Sequence, residues 1–228
     1  PLTYEWYQKF GVDLYKDKVQ IACSAHAING GLRIDADAQS NIKGLFAAGE
    51  VAAGPHGADR LGGNMSVTCQ VFGRRAGKAA AERALHVDHP ALADVVEEQQ
   101  AFLGQFKRTG NASLTDLKQK LQRAANRSLL IIRDEAGLNM LLDECKTARA
   151  ALFDQARVET PQDLVHALEI NNLIEVAELM SAAALTRKES RGSHYREDYP
   201  ERDASYDCNI ILDRSHPGGH FMARLENL

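Results

Sequence analysis

No run of apolar residues in this sequence approaches the ~20 that a membrane-spanning helix needs, so direct membrane insertion is not expected. The first 20 residues, PLTYEWYQKFGVDLYKDKVQ, lack a basic segment followed by an apolar one, so no signal peptide is visible, and a cytoplasmic location is expected. There is no initiator Met, which leaves a processed product and an excised fragment both open. Cysteine is scarce and scattered. Cys23, Cys69, Cys145 and Cys208 form no CxxC, which points to reduced, mostly buried thiols. It also argues against an iron–sulfur or zinc site made by this chain alone. Strong charge of either sign is missing. A formal net charge of −4 and a pI near 6.1 argue against nonspecific nucleic-acid or membrane-surface binding. Also absent are GxGxxG, GxxxxGK[ST] and HExxH.

What is there suits one or two globular domains: 228 residues, 44% apolar and 25% charged. Residues 1–18 read as the end of a helix, with Trp6, Tyr7 and Phe10 on one side and a turn at Gly11. KVQIACSAHAINGGLRID is rich in β-branched residues and broken by Gly30-Gly31, which predicts strand, turn, strand. GLFAAGEV predicts a short apolar strand. NMSVTCQVFGRRAGKAAAERAL has helical spacing, with Gly73 and Gly77 on one face, where they either permit close packing or merely weaken the helix. From about Ala91 the β-branched runs vanish, and helices are predicted near 91–107, 114–128, 135–154, 161–170 and 172–189. Ser113 with Asp116 resembles a cap, and Pro161 after Thr160 fits a first helical position. Short loops predict antiparallel neighbours. The tail is charged and irregular, then briefly strand-like at CNIIL.

Six of the 17 glycines fall in GLFAAGEVAAGPHGADRLGGN, residues 44–64. Glycine raises the entropic cost of folding, so such a cluster needs a reason. A short strand, an acid, then glycines opening onto a helix can hold a nucleotide-like ligand. Backbone N–H groups reach the ligand, the helix N-terminus stabilises negative charge, and the acid accepts hydrogen bonds from vicinal hydroxyls. On this physics alone a ligand site and a structural turn are equally open.

The order of four blocks is more specific. SAHAINGG, GLFAAGEVAAGPHGADRLGGN, QVFGRRAG and RKESRGSHYREDYPERD, together with RDEAGL, resemble the flavoprotein family of fumarate reductase, succinate dehydrogenase and L-aspartate oxidase. The resemblance covers nearly the whole chain, but only the family's C-terminal part. It implies an α+β, mainly α fold: the end of a capping domain (1–18), the C-terminal stretch of an FAD-binding domain (19–86), and an antiparallel helical domain with an irregular tail (87–228).

The resemblance also implies FAD as cofactor and an FAD-dependent oxidoreductase that works as part of a larger protein or complex. The implied reaction is hydride transfer between flavin N5 and a small carboxylate. Glu50 after Gly49 is implied to bind the ribityl hydroxyls. Asn64, Met65 and Ser66 are implied to present a helix N-terminus to the pyrimidine edge. Arg60 is implied to grip a substrate carboxylate beside the flavin, and His26 to contact the same substrate. The family pattern around His26 is AHYxMGG, so Ala27 and Asn29 depart from it and change the pocket's shape. Asp59 stands where Asn is usual, either competing for Arg60 or facing a loop. His56 is expected on the flavin side. Arg191, His194 and Arg196 are expected as interdomain ion-pair and hydrogen-bond residues. His216 and His220 are expected in a plain loop rather than a metal site. The implied partners are the missing N-terminal FAD and capping portion, the small carboxylate, and an iron–sulfur electron-transfer subunit that brings the protein to the periphery of a membrane. The competing reading is a non-catalytic helical assembly module with a vestigial flavin lobe, which the absent pyrophosphate loop favours.

Overall fold

The computed structural model describes residues 2–21, 26–53, 56–87, 92–106, 109–214 and 221–227. The fold is α+β and mainly helical, as expected. Its centre is three helices: α4 (Leu114–Leu129), α5 (Glu135–Asp154) and α6 (Pro161–Thr186). Each begins where side-chain chemistry satisfies the free N–H groups of a first turn. Ser113 accepts from Asp116 N (3.2 Å) and Asp134 from Gly137 N (2.6 Å). Thr160 and Asp163 form a reciprocal capping box, with Pro161 opening the helix behind it. Short connections at 130–134 and 155–160 reverse the chain between them.

The buried residues of α5 are Leu138, Leu141, Cys145, Ala148 and Leu152, spaced three and four apart, one stripe of a helix. They pack with Leu121 and Leu129 of α4 and with Ala167, Ile170, Ile174 and Ala177 of α6 in one core. A fully buried leucine contributes about 1.5–3 kcal/mol relative to exposure. Burial also pushes the Cys145 thiol up to about 12, so it is an inert packing group. An aromatic trio, Phe102, Phe106 and Phe153, joins the end of α3 (Ala93–Leu103) to this core.

Two expected helices, 161–170 and 172–189, are one continuous α6. Asn171 and Asn172 look like a break because asparagine competes for nearby backbone groups. In the fold Asn171 is buried and accepts from Arg149 Nη1 (3.2 Å), so a tertiary bond removes that competition.

The tail is more ordered than its composition suggested. β3 (Ile132–Arg133) pairs in parallel with β4 (Tyr195–Arg196), and β5 (Cys208–Asp213) pairs antiparallel with β6 (Met222–Asn227). Only the first strand of that hairpin was legible as CNIIL. Arg196 is fully buried. Its Nη1 donates to Ala184 O at the end of α6 (2.6 Å), and its Nε and Nη2 grip both oxygens of Asp198 (2.7 Å each). Asp198 in turn accepts from Glu135 N at the start of α5 (2.9 Å).

The N-terminal half differs. α1 (Leu2–Lys9) ends at Gly11 as expected, with Trp6 stacked near Tyr7 and Phe10. Of the strand–turn–strand expected over 18–35, the second strand is present as β1 (Leu32–Arg33); residues 18–21 form no strand, and residues 22–25 lie outside the described residues. The strand expected at 44–51 is instead a single bridge from Phe46 to Gln39, then a 3₁₀ turn at Gly49–Val51. The strand β2 follows at Ala52–Ala53 and pairs in parallel with β1. Strand propensity marks residues that suit a sheet, but a ladder needs a partner, and this pair is only two residues long. α2 (Asn64–Ala84) spans 21 residues and buries none of them. An added Cβ at Gly73 or Gly77 meets nothing within 4 Å, so of the two readings open for this pair, close packing is not the one seen among the described residues.

Candidate functional site

The glycine-rich stretch gathers three separate parts of the chain. Glu50 stands on the 3₁₀ turn, and its Oε1 accepts from Ile28 N (2.8 Å). That bond anchors the segment carrying His26, which is itself exposed. Glu50 Oε2 makes no hydrogen bond to the described residues, so one carboxylate oxygen remains for a ligand. Gly49, at φ 82°, turns the chain immediately before it.

Farther along, Gly63 is the residue before α2 and takes the left-handed conformation, φ 84°, which excludes most side chains. No side chain caps this helix start. Asn64 N and Ser66 N donate to Leu61 O and Gly63 O (3.2 Å each). The uncapped first turn, with Asn64 and Ser66 exposed and Met65 half-buried, carries the positive end of a 21-residue helix. His56 is tied to the same turn: its Nε2 lies 3.2 Å from Thr68 Oγ1, whose hydroxyl donates to Met65 O (3.0 Å).

Arg60 lies between these pieces. Its Nη1 makes one long bond, to Leu61 O (3.4 Å). Its Nε is buried and has no partner among the described residues. A buried unsatisfied donor costs about 1–3 kcal/mol, and more on a charged group, so an acceptor arriving there is strongly favoured. Asp59 forms no ion pair with Arg60 among the described residues, so it does not compete for the guanidinium.

The tail reaches this region. Asn29 Nδ2 donates to Ser193 Oγ (3.1 Å), and Arg33 pairs with Glu226 (2.6 Å). By contrast, among the described residues the side chains of Arg191, His194 and Arg196 bond only within residues 133–207 and not to residues 26–87. Arg191 pairs with Glu189 and Asp207, and Arg196 with Asp198. His194 lies against Arg133 Nη1 (2.9 Å) and Arg187 O (3.3 Å). Burial, then the Arg133 charge, pushes its imidazole down to about 4.

Glu189 was not singled out from the sequence. It is fully buried and accepts from Arg187 Nη1 (2.7 Å), Arg191 Nε (2.8 Å) and Asp203 N (2.9 Å). Burial works to raise its pKa, but the Asp203 N–H and the two guanidiniums outweigh that and hold it low. Its only sequence signal was an acid between arginines, a pattern common on solvated surfaces.

Cys69 is exposed, whereas Cys145 and Cys208 are buried, and all three are free. His216 and His220, like Cys23, fall outside the described residues. Among the described residues no cluster of metal-ligating side chains exists, and no helix is long and apolar enough to cross a membrane.

An acid with a free oxygen, a glycine turn and an uncapped helix N-terminus are groups that can hold a nucleotide-like ligand. The comparisons with known proteins give the class of protein. Residues 4–66 match the family described as FAD binding domain, and residues 118–217 match that described as Fumarate reductase flavoprotein C-term. The chain is 38% identical over 207 residues to one of the subunits of fumarate reductase (CoM/CoB) from Methanothermobacter marburgensis, a match covering 90% of this chain and 38% of the relative. It is 31% identical to L-aspartate oxidase of a Nostoc species, covering 91% of this chain and 39% of the relative. A solved structure of Escherichia coli quinol fumarate reductase superposes with a TM-score of 0.90 at 28% identity, covering all of this chain and 41% of that one. The chain therefore belongs to the fumarate reductase, succinate dehydrogenase and L-aspartate oxidase flavoprotein family, and corresponds to its C-terminal part, with FAD as the family's cofactor. It spans less than half the length of these relatives.

Proposed function

We propose that this chain forms the substrate-facing part of an FAD-dependent oxidoreductase acting on a small carboxylate. Residues 19–86 then serve as the C-terminal stretch of the flavin domain, residues 1–18 as the end of a capping domain, and residues 87–228 as the helical domain and tail. The single observation that carries the reading is the buried, unpartnered Nε of Arg60 beside an uncapped helix N-terminus.

The residues present fit the cofactor. Glu50 Oε2 would accept from ribityl hydroxyls, and the first turn of α2, at Asn64, Met65 and Ser66, would face the pyrimidine edge. When bound, FAD supplies hydride transfer at N5. The chain's own residues bind and orient. Arg60 presents a planar fork that can hold a carboxylate through two parallel bonds. Satisfying its unpaired Nε makes that grip favourable. His26, on the segment tethered through Ile28 N to Glu50, supplies a second contact on the same substrate. Holding both ends of a small acid fixes the reacting carbon and lowers the entropic part of the barrier. The α2 N-terminus stabilises negative charge that develops beside it.

The rest of the flavin and capping domains, with their pyrophosphate loop, is the first partner this reading requires, since this sequence carries no GxGxxG. The electron partner we assign, on family resemblance, is an iron–sulfur subunit. The free, buried Cys145 and Cys208 thiols suit a reducing, cytoplasmic compartment.

The test is Arg60→Lys in the flavin-loaded protein, with a panel of small dicarboxylates and amino acids as substrates. Lysine keeps the charge and loses the fork. Loss of a charge-assisted bond together with misalignment predicts a drop on the order of 10³ in kcat/KM. Flavin content should stay constant, because Glu50 and the helix N-terminus are untouched. Near-normal turnover would remove Arg60 from the substrate site. A protein that takes up no flavin would favour the assembly-module reading instead.

A further inference from the structure

A second feature of the site lies far away in sequence. Residues 191–194 form a tight hairpin in which Arg191 N donates to His194 O (2.8 Å) and His194 N to Arg191 O (2.9 Å). Gly192, the first of its two central residues, has φ +56°. A glycine in that place is what a II′ hairpin turn requires. Both central residues, Gly192 and Ser193, are exposed, so the helical core does not need them.

The close contacts of this turn point elsewhere. A Cβ added to Gly192 would sit 2.5 Å from Ala58 O, 2.8 Å from Ala58 C and 3.1 Å from Asp59 Cβ. The next residue but one after Ala58 is Arg60. Ser193 Oγ accepts from Asn29 Nδ2 (3.1 Å), on the segment that carries His26 and is held at Ile28 by Glu50. The turn therefore touches both substrate-binding segments named above, and only backbone without a side chain can approach the 58–59 peptide so closely.

Its own position is fixed from behind. Arg191 is held by Glu189 and Asp207, and His194 by Arg133 and Arg187 O. Glu189 is fully buried, and Arg133 belongs to β3, where it pairs with Arg196 of β4. The sequence RGSH thus places a rigid knuckle, mounted on the helical core, against two otherwise exposed loops.

We propose that the Gly192–Ser193 turn is a positioning device for the carboxylate site. It braces the 58–60 backbone, and so the Arg60 guanidinium, while Ser193 holds the Asn29 end of the His26 segment. The catalytic consequence rests on the functional reading above; the mechanical one does not.

The two are tested separately. In the 228-residue chain without cofactor, amide hydrogen exchange is followed in peptides spanning 26–31 and 56–62, with α4, α5 and α6 as internal references. Gly192→Ala should accelerate exchange across 56–62 roughly tenfold, because a Cβ must displace the 58–59 peptide. Ser193→Ala should accelerate 26–31 roughly threefold, and Ser193→Thr, which keeps the hydroxyl, should restore it. Exchange unchanged in both segments overturns the proposal. So does acceleration spread equally over α4–α6, which would make the turn a general stabiliser. Should Gly192→Ala fail to fold, the Ser193 pair decides. In the flavin-loaded protein both alanine variants should raise KM for the carboxylate roughly tenfold with flavin content retained and kcat less affected. Flavin loss without a KM change contradicts the brace. A wild-type protein that binds no carboxylate defeats the functional reading alone, and the exchange result still judges the brace.

Discussion

Residues 2–87 and residues 92–214 are both rich in helix, yet they bury their side chains in opposite measure. α1 and α2 have no buried residue between them, and Leu2, Ile21, Leu61 and Leu85 are each more than 70% exposed. α5 and α6 instead bury a stripe of residues each and share one core. The lesson is that helical spacing states which face could be covered and is silent about what covers it. α5 finds its cover inside this chain. α2 does not, and its neighbours in a flavin domain are the natural cover under the proposed function.

The comparison breaks most visibly at the level of whole segments. Residues 92–214 expressed alone should give a cooperative, helix-dominated thermal melt by circular dichroism, whereas residues 2–87 alone should show none. A shorter segment ending at residue 190 should melt lower than one ending at 214. It lacks Arg196 and Asp198, which close the end of α6 and the start of α5. Equal melts would demote that network to ornament.

At single residues the contrast should persist. Leu141→Ala, at a site with no exposure, should cost about 2–5 kcal/mol. Val67→Ala, on a side chain 62% exposed in α2, should stay within about 0.5 kcal/mol in the same chain. Chemical denaturation of both variants measures this directly. A large Val67 effect would mean α2 is covered after all.

A pH titration sharpens the same division. His194 titrates at about 4 in the fold against an ordinary value of 6.5. The unfolded chain therefore binds a proton between those values that the folded chain does not. Stability is full above pH 6.5 and falls as pH drops toward 4, by about 3 kcal/mol at most. Glu189 and Asp198, held low in the fold, add losses of the same sign at lower pH as they become protonated. His194→Asn should flatten the slope between pH 6.5 and 4 without changing the melt at pH 8 by a comparable amount.

The smallest effect tests what covers α2. Gly77→Ala should stabilise the 228-residue chain by up to about 1 kcal/mol, since alanine favours helix and an added Cβ meets nothing. In the flavin-loaded protein, a helix or strand packed against Gly77 would reverse the sign. The same sign in both would mean this face stays open.

Local chemistry was legible in the sequence wherever one short stretch carries the whole cause. The caps at Ser113 and Thr160, the start of α5 and the turn at Gly11 depend on residues within four positions of each other, so spacing suffices to predict them. The glycine cluster and Glu50 stood out for the same reason. What sequence reasoning missed is nonlocal. Asn171 lies inside a single long helix because Arg149 reaches it from α5. The strand expected at 44–51 dissolved into a bridge and a turn because no long partner strand lies beside it. Glu189 is a core carboxylate rather than a surface acid because two arginines and the Asp203 N–H converge on it. The unpaired Arg60 Nε and the approach of Gly192 to Ala58 depend on distant segments of the chain meeting in space. The sequence by itself determined where helices begin and which residues could carry chemistry, because propensity and capping act over one or two turns. Only the tertiary structure decided which polar groups are paired, which are left wanting a partner, and which face of each helix is covered, because burial and desolvation are properties of neighbours that the chain order does not name.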